Sequence, residues 1–347
     1  MIRVAVIGAG YWGPNLIRNF AACPETELVA VCDRDQQRLT QVLRPYPGVE
    51  AITDFEQLLD RADIDAVAIA TPVNTHAPLG VAALQAGKHV LVEKPLAGSV
   101  ADAEQMVEAA AAANRVLMVD HTFIYSGPVQ RIKQIVDSGE IGDLYFVDSV
   151  RINLGMFQHD VNVVWDLAPH DLSILDFLVG RLPRSISAFG ACHANEAADI
   201  EDVAYLNLDF SDGLLASFHV NWLSPVKVRH FIIGGSEKSI VYDDLEPTER
   251  IKVYDRGITV SDDVEAKRGV MIGYRTGDVW SPHVPQVEPL AKMVSHFAEC
   301  IQQGKQPLTD GESGLRVVRI LEAAQRSIKA QGGRITIWDD LQIRRAA

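Results

Sequence analysis

Three side chains could move a proton beside a reacting carbon: Lys94, Asp166 and His170. Lys94 stands in Val92-Glu93-Lys94-Pro95, directly after an apolar run that reads as a strand. An ammonium there could hydrogen-bond a hydroxyl, stabilise developing alkoxide charge and share a proton, provided that burial or neighbours tune it. The Lys94-Pro95 peptide is a candidate for a cis bond, because only the bond before proline commonly adopts that form. Asp166 and His170 are four apart in Trp165-Asp166-Leu167-Ala168-Pro169-His170-Asp171. On a helical turn that spacing puts both on one face, where the carboxylate could orient the imidazole as it accepts a proton. Pro169 suggests that the helix proper starts there, with Asp166 on the preceding turn, and an Asp/His capping arrangement is the plainer alternative.

A second group of residues could hold a dinucleotide. Gly8-Ala9-Gly10-Tyr11-Trp12-Gly13 follows the first apolar run and opens a helical pattern. The expected roles are a tight turn at Gly8, backbone approach to a pyrophosphate at Gly10 and helix packing at Gly13, with Tyr11 and Trp12 beside the cofactor. The helix N-terminus adds free N–H groups and a positive dipole end. Twenty residues after Gly13, Asp33 ends a second run, where a carboxylate can accept hydrogen bonds from the adenosine ribose. It would repel the 2′-phosphate of NADP, so NAD is the expected cofactor, although Arg34 could pair with such a phosphate. Thr71, Asn74 and His76 follow a further run and could reach the cofactor, as could Glu93 and Lys94; for His76 a helix-start role is an equal alternative.

These residues need elements to carry them. Residues 3–7, 27–32, 65–70, 89–92 and 116–119 read as strands, and 13–22, 36–43, 55–60, 76–86 and 100–113 as helices. This alternation, with continuously apolar strands, predicts a doubly wound parallel α/β sheet covered on both faces. After Asp120 the rhythm changes. Helices are expected at 128–137 and 166–179, and strands at 144–152, 204–210, 214–221, 229–233 and 239–242, separated by turns such as Ser211-Asp212-Gly213. Helices at 288–302 and 312–330 close the chain. The division expected is a Rossmann domain at 1–121 and an α+β domain at 122–347 with an open, mainly antiparallel sheet.

Composition sets limits on partners. The 347 residues exceed what a single core usually serves, which favours two domains. A formal charge of −14 repels polyphosphate backbones, so nucleic acid is not an expected partner. Neither a signal-peptide pattern nor an apolar run of about 20 residues is found, and the cytoplasm is expected. Cys23, Cys32, Cys192 and Cys300 are scattered, without the paired spacing of a zinc site or a disulfide framework, and no metal is expected.

Together, Gly8 to Gly13, Glu93-Lys94-Pro95, and Asp166 with His170 resemble the Gfo/Idh/MocA family of glucose-fructose oxidoreductase and inositol dehydrogenase. The resemblance spans essentially the whole chain, and Glu93-Lys94-Pro95 is its most specific motif. It implies oxidation of a sugar or polyol carbinol, with Lys94 as the substrate-binding and proton-sharing lysine, His170 as the acid/base group and Asp166 as its support. Inositol-type members usually carry a glycine between the aspartate and histidine, where this chain has Leu167-Ala168-Pro169. Residues 10–16 and 160–166 look more like nucleotide-sugar dehydrogenases that oxidise the 3-hydroxyl of a UDP-N-acetylhexosamine or its uronate.

For a diphosphate-bearing substrate, Arg151, Lys227 and Arg229 are candidate cations, though each could be a solvated strand-edge charge. Tyr125, Asn153 and Asn162 are candidate substrate hydrogen-bonders; His121 and Tyr125 could equally serve a core or hinge. A free-sugar or inositol dehydrogenase is the alternative enzyme, and a non-catalytic dinucleotide-binding regulator the alternative of another class. Lys94 argues against the latter, because binding alone needs no amine beside the nicotinamide. A homodimer or homotetramer is expected, since a broad apolar sheet face left in water is a liability.

Overall fold

In the computed structural model, residues 1–155, 157, 161–194, 200–260 and 272–337 are described, and Asp160 of the 160–166 stretch lies outside them. Two compact units emerge, one of Met1–Ser126 with Val287–Glu322, the other of Gly127–Gln286 with Ala323–Ala347. The first unit is thus discontinuous, whereas the sequence suggests one boundary after residue 121.

The first unit opens with β1 (Ile2–Ile7), α1 (Gly13–Ala22), β2 (Thr26–Cys32), α2 (Gln36–Val42), β3 (Glu50–Ile52) and α3 (Glu56–Leu59). It continues with β4 (Ala66–Ile69), α4 (His76–Gln85), β5 (His89–Glu93), α5 (Val100–Ala113) and β6 (Leu117–Asp120). The six strands pair in the order β3-β2-β1-β4-β5-β6, all parallel. This is the doubly wound order, whose direction of winding reverses beside β1, so ligands are expected at the carboxyl ends of the strands there. The apolar runs have their cause in burial, since every residue of β4 and β6 is shielded from water. β3 left no pattern because it has three residues, two of them exposed.

The second unit contains α6 (Gly127–Asp137), β7 (Leu144–Leu154), α7 (Val163–Val179), β8 (Ser185–Ala191), β9 (Val203–Asp209) and β10 (Leu215–Asn221). β11 (Leu223–Gly235), β12 (Ser239–Asp243), β13 (Ile251–Val260) and β14 (Ile272–Trp280) follow. α8 (Pro289–Gln303) and most of α9 (Gly311–Lys329) belong to the first unit, and β15 (Ile335–Thr336) to the second. Among the described residues, nine strands form one open sheet in the order β14-β13-β12-β11-β7-β10-β9-β8-β15. Its pairings are antiparallel except that of β7 with β10. No helix among the described residues is long and apolar enough to cross a membrane.

α7 starts earlier than the sequence suggests. Asn162 caps it by accepting the Trp165 N–H at 3.1 Å, and Pro169 lies inside the helix rather than at its start. Proline removes the N–H that would bond the Trp165 carbonyl. The helix continues because its inner face, including Val163, Val164, Ala168, Leu172 and Leu175, is buried. It is also tied to β7 by charge: Arg151 Nε and Nη2 donate to Asp171 Oδ2 and Oδ1 at 2.9 and 2.6 Å, and the Ser149 hydroxyl donates to Oδ2 at 2.8 Å. Both charged side chains are about 5% exposed.

Removing one partner from a buried pair strands the other. Asp171→Ala is expected to lose about 3–5 kcal/mol of unfolding free energy in urea titration, and the double variant Arg151→Met/Asp171→Leu distinctly less. Equal losses would show that the pair is not the source.

Candidate functional site

The glycine loop joins β1 to α1, and space dictates its residues. Gly8 has φ +97°, and a Cβ on it would stand 2.4 Å from the Ala70 carbonyl oxygen. A Cβ on Gly13 would lie 2.1 Å from the Gly8 oxygen, whereas one on Gly10 would meet nothing within 4 Å. Gly8 and Gly13 are therefore demanded by packing, and Gly10 leaves the backbone open to a ligand. Tyr11 is exposed and Trp12 partly so. Asp33, at the end of β2, accepts the Ala9 N–H at 2.8 Å and the Asp35 N–H at 2.9 Å, with Arg38 Nη1 at 3.4 Å. Burial alone would raise its pKa, but these amides and Arg38 outweigh burial and hold it low, hence ionised. Arg34 is exposed, and Arg38, in the first turn of α2, pairs with Asp33, a partner with no mark in the sequence pattern. An open glycine, the positive dipole end of α1 and an ionised acid suit the diphosphate and ribose of a dinucleotide.

β4 leads into Thr71, whose hydroxyl accepts from Thr75 at 2.7 Å, and to the exposed Asn74. His76 is placed differently from a cofactor contact. It is 1% exposed as the first residue of α4, and its Nδ1 and Nε2 lie 2.9 Å from the Pro95 and Thr71 carbonyl oxygens. Buried between these two carbonyls, it ties the loop after β4 to the loop after β5.

Lys94 follows β5 and is half-buried, and the Lys94-Pro95 bond is cis, as the sequence suggested. Its neighbours in this unit carry strongly shifted protons. Glu93 pairs in register with Asp120 of β6, and its Oε1 is sealed from solvent. Burial first, then the Asp120 carboxylate, pushes the Glu93 carboxyl well above its usual range. Asp120 accepts the Trp12 indole N–H at 3.2 Å and the Thr122 hydroxyl. Asp120 thus links the glycine loop to the lysine strand, a role whose only trace in the sequence is an acid ending a parallel strand. His121 is buried with neither ring nitrogen hydrogen-bonded, and burial, then the Lys94 charge, pushes it down to about 3. Tyr125 is also buried, its hydroxyl 3.2 Å from Thr309 Oγ1, so it belongs to the core of the first unit rather than to a substrate surface.

In the second unit, Asp166 and His170 are half-buried on one face of α7. The Trp222 indole N–H, unnoticed in the sequence, donates to Asp166 Oδ2 at 3.1 Å. Asn153 lies on β7, two residues beyond Arg151 and on the same side of the strand. Asn162, expected among substrate contacts, is occupied as the α7 cap and donates through Nδ2 to Glu201 at 2.6 Å and Gln325 at 2.5 Å. Arg151 is committed to Asp171, and Arg229 Nη1 donates to Asp244 Oδ2 at 3.0 Å. Of the three expected cations, Lys227 is the exposed one.

Residues 2–121 match the model of an oxidoreductase family with an NAD-binding Rossmann fold, and residues 129–241 that of the GFO/IDH/MocA C-terminal domain. Among relatives, D-apiose dehydrogenase of Paraburkholderia graminis is 28% identical over 94% of this chain and 87% of its own. A solved putative oxidoreductase from Magnetospirillum magnetotacticum is 31% identical, covering 93% of this chain and 99% of its own with a TM-score of 0.79. UDP-N-acetylglucosamine 3-dehydrogenase GnnA from Acidithiobacillus ferrooxidans shares the fold, with a TM-score of 0.81 at 24% identity over 95% of this chain and 98% of its own.

The buried groups around Lys94 titrate with opposite signs. A raised carboxyl contributes stability at pH below its unfolded value and loses it as pH rises, so Glu93→Gln is expected to gain in melting temperature over the natural protein between pH 5 and 8. A depressed imidazole contributes stability above about 6.5 that is lost as pH falls towards about 3, so His121→Phe is expected to flatten the acid side of the same melting profile. Parallel profiles for the variants and the natural protein would contradict both assignments.

Proposed function

This chain belongs to the Gfo/Idh/MocA oxidoreductase family and uses NAD, and from that premise we propose that it oxidises a sugar carbinol carbon, the 3-hydroxyl of a UDP-N-acetylhexosamine or its uronate. The observation that carries the reading is the half-buried Asp166–His170 pair, one turn apart on α7. Bound NAD would supply the acceptor for the hydride of the carbinol carbon. The chain's own groups handle the proton and the charge. Lys94 hydrogen-bonds the reacting oxygen and stabilises the negative charge that develops on it. His170 accepts the hydroxyl proton, and Asp166 holds the imidazole in orientation and balances the charge it gains. Gly10 and the start of α1 would hold the diphosphate of the cofactor, and Asp33 its adenosine ribose.

The nucleotide-linked substrate is supported by the likeness of residues 10–16 to that branch of the family and by the fold shared with GnnA. One observation favours a free-sugar substrate as the second reading: Arg151 and Arg229, candidate partners for a substrate diphosphate, are each paired with an aspartate of the same unit.

A nicotinamide absorbance assay across UDP-sugars, free sugars and inositols tests the reading. NAD reduction is expected with UDP-N-acetylhexosamines, and Lys94→Ala and His170→Ala are each expected to lose about 10²-fold or more in kcat. Turnover of free sugars alone would establish the second reading, and full activity in both variants would remove these residues from the mechanism. Asp33→Ala is expected to weaken NADH binding about tenfold while sparing NADPH; a preference for NADPH in the natural protein would overturn the role given to Asp33.

A further inference from the structure

Trp222 lies in the short connection between β10 and β11, and four contacts hold it there. Its backbone N–H donates to the Asp202 carbonyl at 2.9 Å, and its carbonyl accepts the Gly155 N–H at 2.9 Å. A Cβ on Gly155 would stand 2.5 Å from Trp222 Cδ1, so the glycine is required by the place of the indole. The Phe157 ring packs at 5.5 Å between centroids, tilted by 60°. The side chain is 1% exposed, and its one polar atom, Nε1, reaches Asp166 Oδ2 at 3.1 Å.

A buried indole N–H needs an acceptor in any role, and here the acceptor is the carboxylate one turn before His170. An indole N–H cannot accept or lose a proton in the working pH range, so it offers a fixed, one-way hydrogen bond. A carboxylate can rotate between orientations, and a donor clamped from behind selects one of them. His170 is on the same face of the same helix as that carboxylate.

We propose that Trp222 is a positioning residue for the reaction, holding one oxygen of Asp166 so that the other is presented to the His170 side of α7. The inference rests on the catalytic reading of Asp166 given above. It predicts a requirement for the indole N–H as well as for an aromatic ring.

The test is a double-mutant cycle on the full chain with the best substrate of the panel, using Trp222→Phe and Asp166→Asn. Trp222→Phe, with an unchanged melting temperature, is expected to lower kcat about tenfold and leave KM within about twofold. Combined with Asp166→Asn it is expected to cost nothing further, because the group it positions is gone. Full activity of Trp222→Phe, or an equal loss in both backgrounds, would overturn the proposal while leaving the catalytic role of Asp166 intact. Full activity of Asp166→Asn would overturn both. Should Trp222→Phe fail to fold, the ¹⁵N-indole resonances of tryptophan-labelled protein decide: Asp166→Ala is expected to shift the Trp222 signal, and an unmoved signal would refute the hydrogen bond.

Discussion

The close approach of the β1–α1 turn to the end of β4 is the constraint from which the first unit's chemistry follows. Gly8 lies so near the Ala70 carbonyl, and Gly13 so near Gly8, that no side chain fits at either place. Because the turn is this tight, α1 begins at Gly13, and the Ala9 amide reaches the carboxylate of Asp33 at the end of β2. The same parallel sheet delivers Thr71, Lys94 and Asp120 to its carboxyl edge, since each follows or ends a strand running in the same direction. The ends of β1, β2, β4, β5 and β6 thus come together at that edge without any of those strands bending towards it.

Charge is buried in both units, with different consequences. Arg151 and Asp171 are opposite charges in bidentate contact, and their burial fixes α7 on β7. Glu93 and Asp120 are like groups in neighbouring register, so burial is relieved by retaining a proton on Glu93. The first arrangement makes a rigid support one residue from His170. The second leaves a titratable pair beside Lys94 and connects it, through Trp12, to the glycine loop.

Much of this was legible in the residues. The parallel sheet and its helices left apolar runs and 3.6-residue periods, and the glycine fingerprint, Asp33, Lys94 and the Asp166–His170 spacing could be read directly. Strands with few residues or mixed faces were not legible: β3 has three residues and β15 two, and β8 ends in the exposed Phe189, Gly190 and Ala191. Partners remote in sequence were hidden as well. Nothing in the order of residues says that Arg151 will meet Asp171, that Asn162 will cap α7, or that Tyr125 will turn to Thr309, 184 positions away. A polar residue near a strand end reads as a ligand contact until its partner is known, which is why Arg151, Asn162, His76 and Tyr125 were expected at ligand sites and lie instead in structural hydrogen bonds.

α7 shows why a helix suits the proposed acid/base pair and why that pair needs outside support. The four-residue spacing aligns Asp166 with His170 only while the intervening turn stays helical, and Pro169 weakens that turn by removing its own N–H from the ladder. The local hydrogen bonding of residues 163–170 is thus poorer than that of an unbroken helix. Compensation comes from groups fixed elsewhere: Asn162 at the cap, Arg151 on Asp171 just beyond His170, and the Trp222 indole on Asp166. The proline narrows the conformations open to the turn, and the three clamps select among those that remain, so the geometry of the pair is set by the sheet behind it as much as by the helix that bears it.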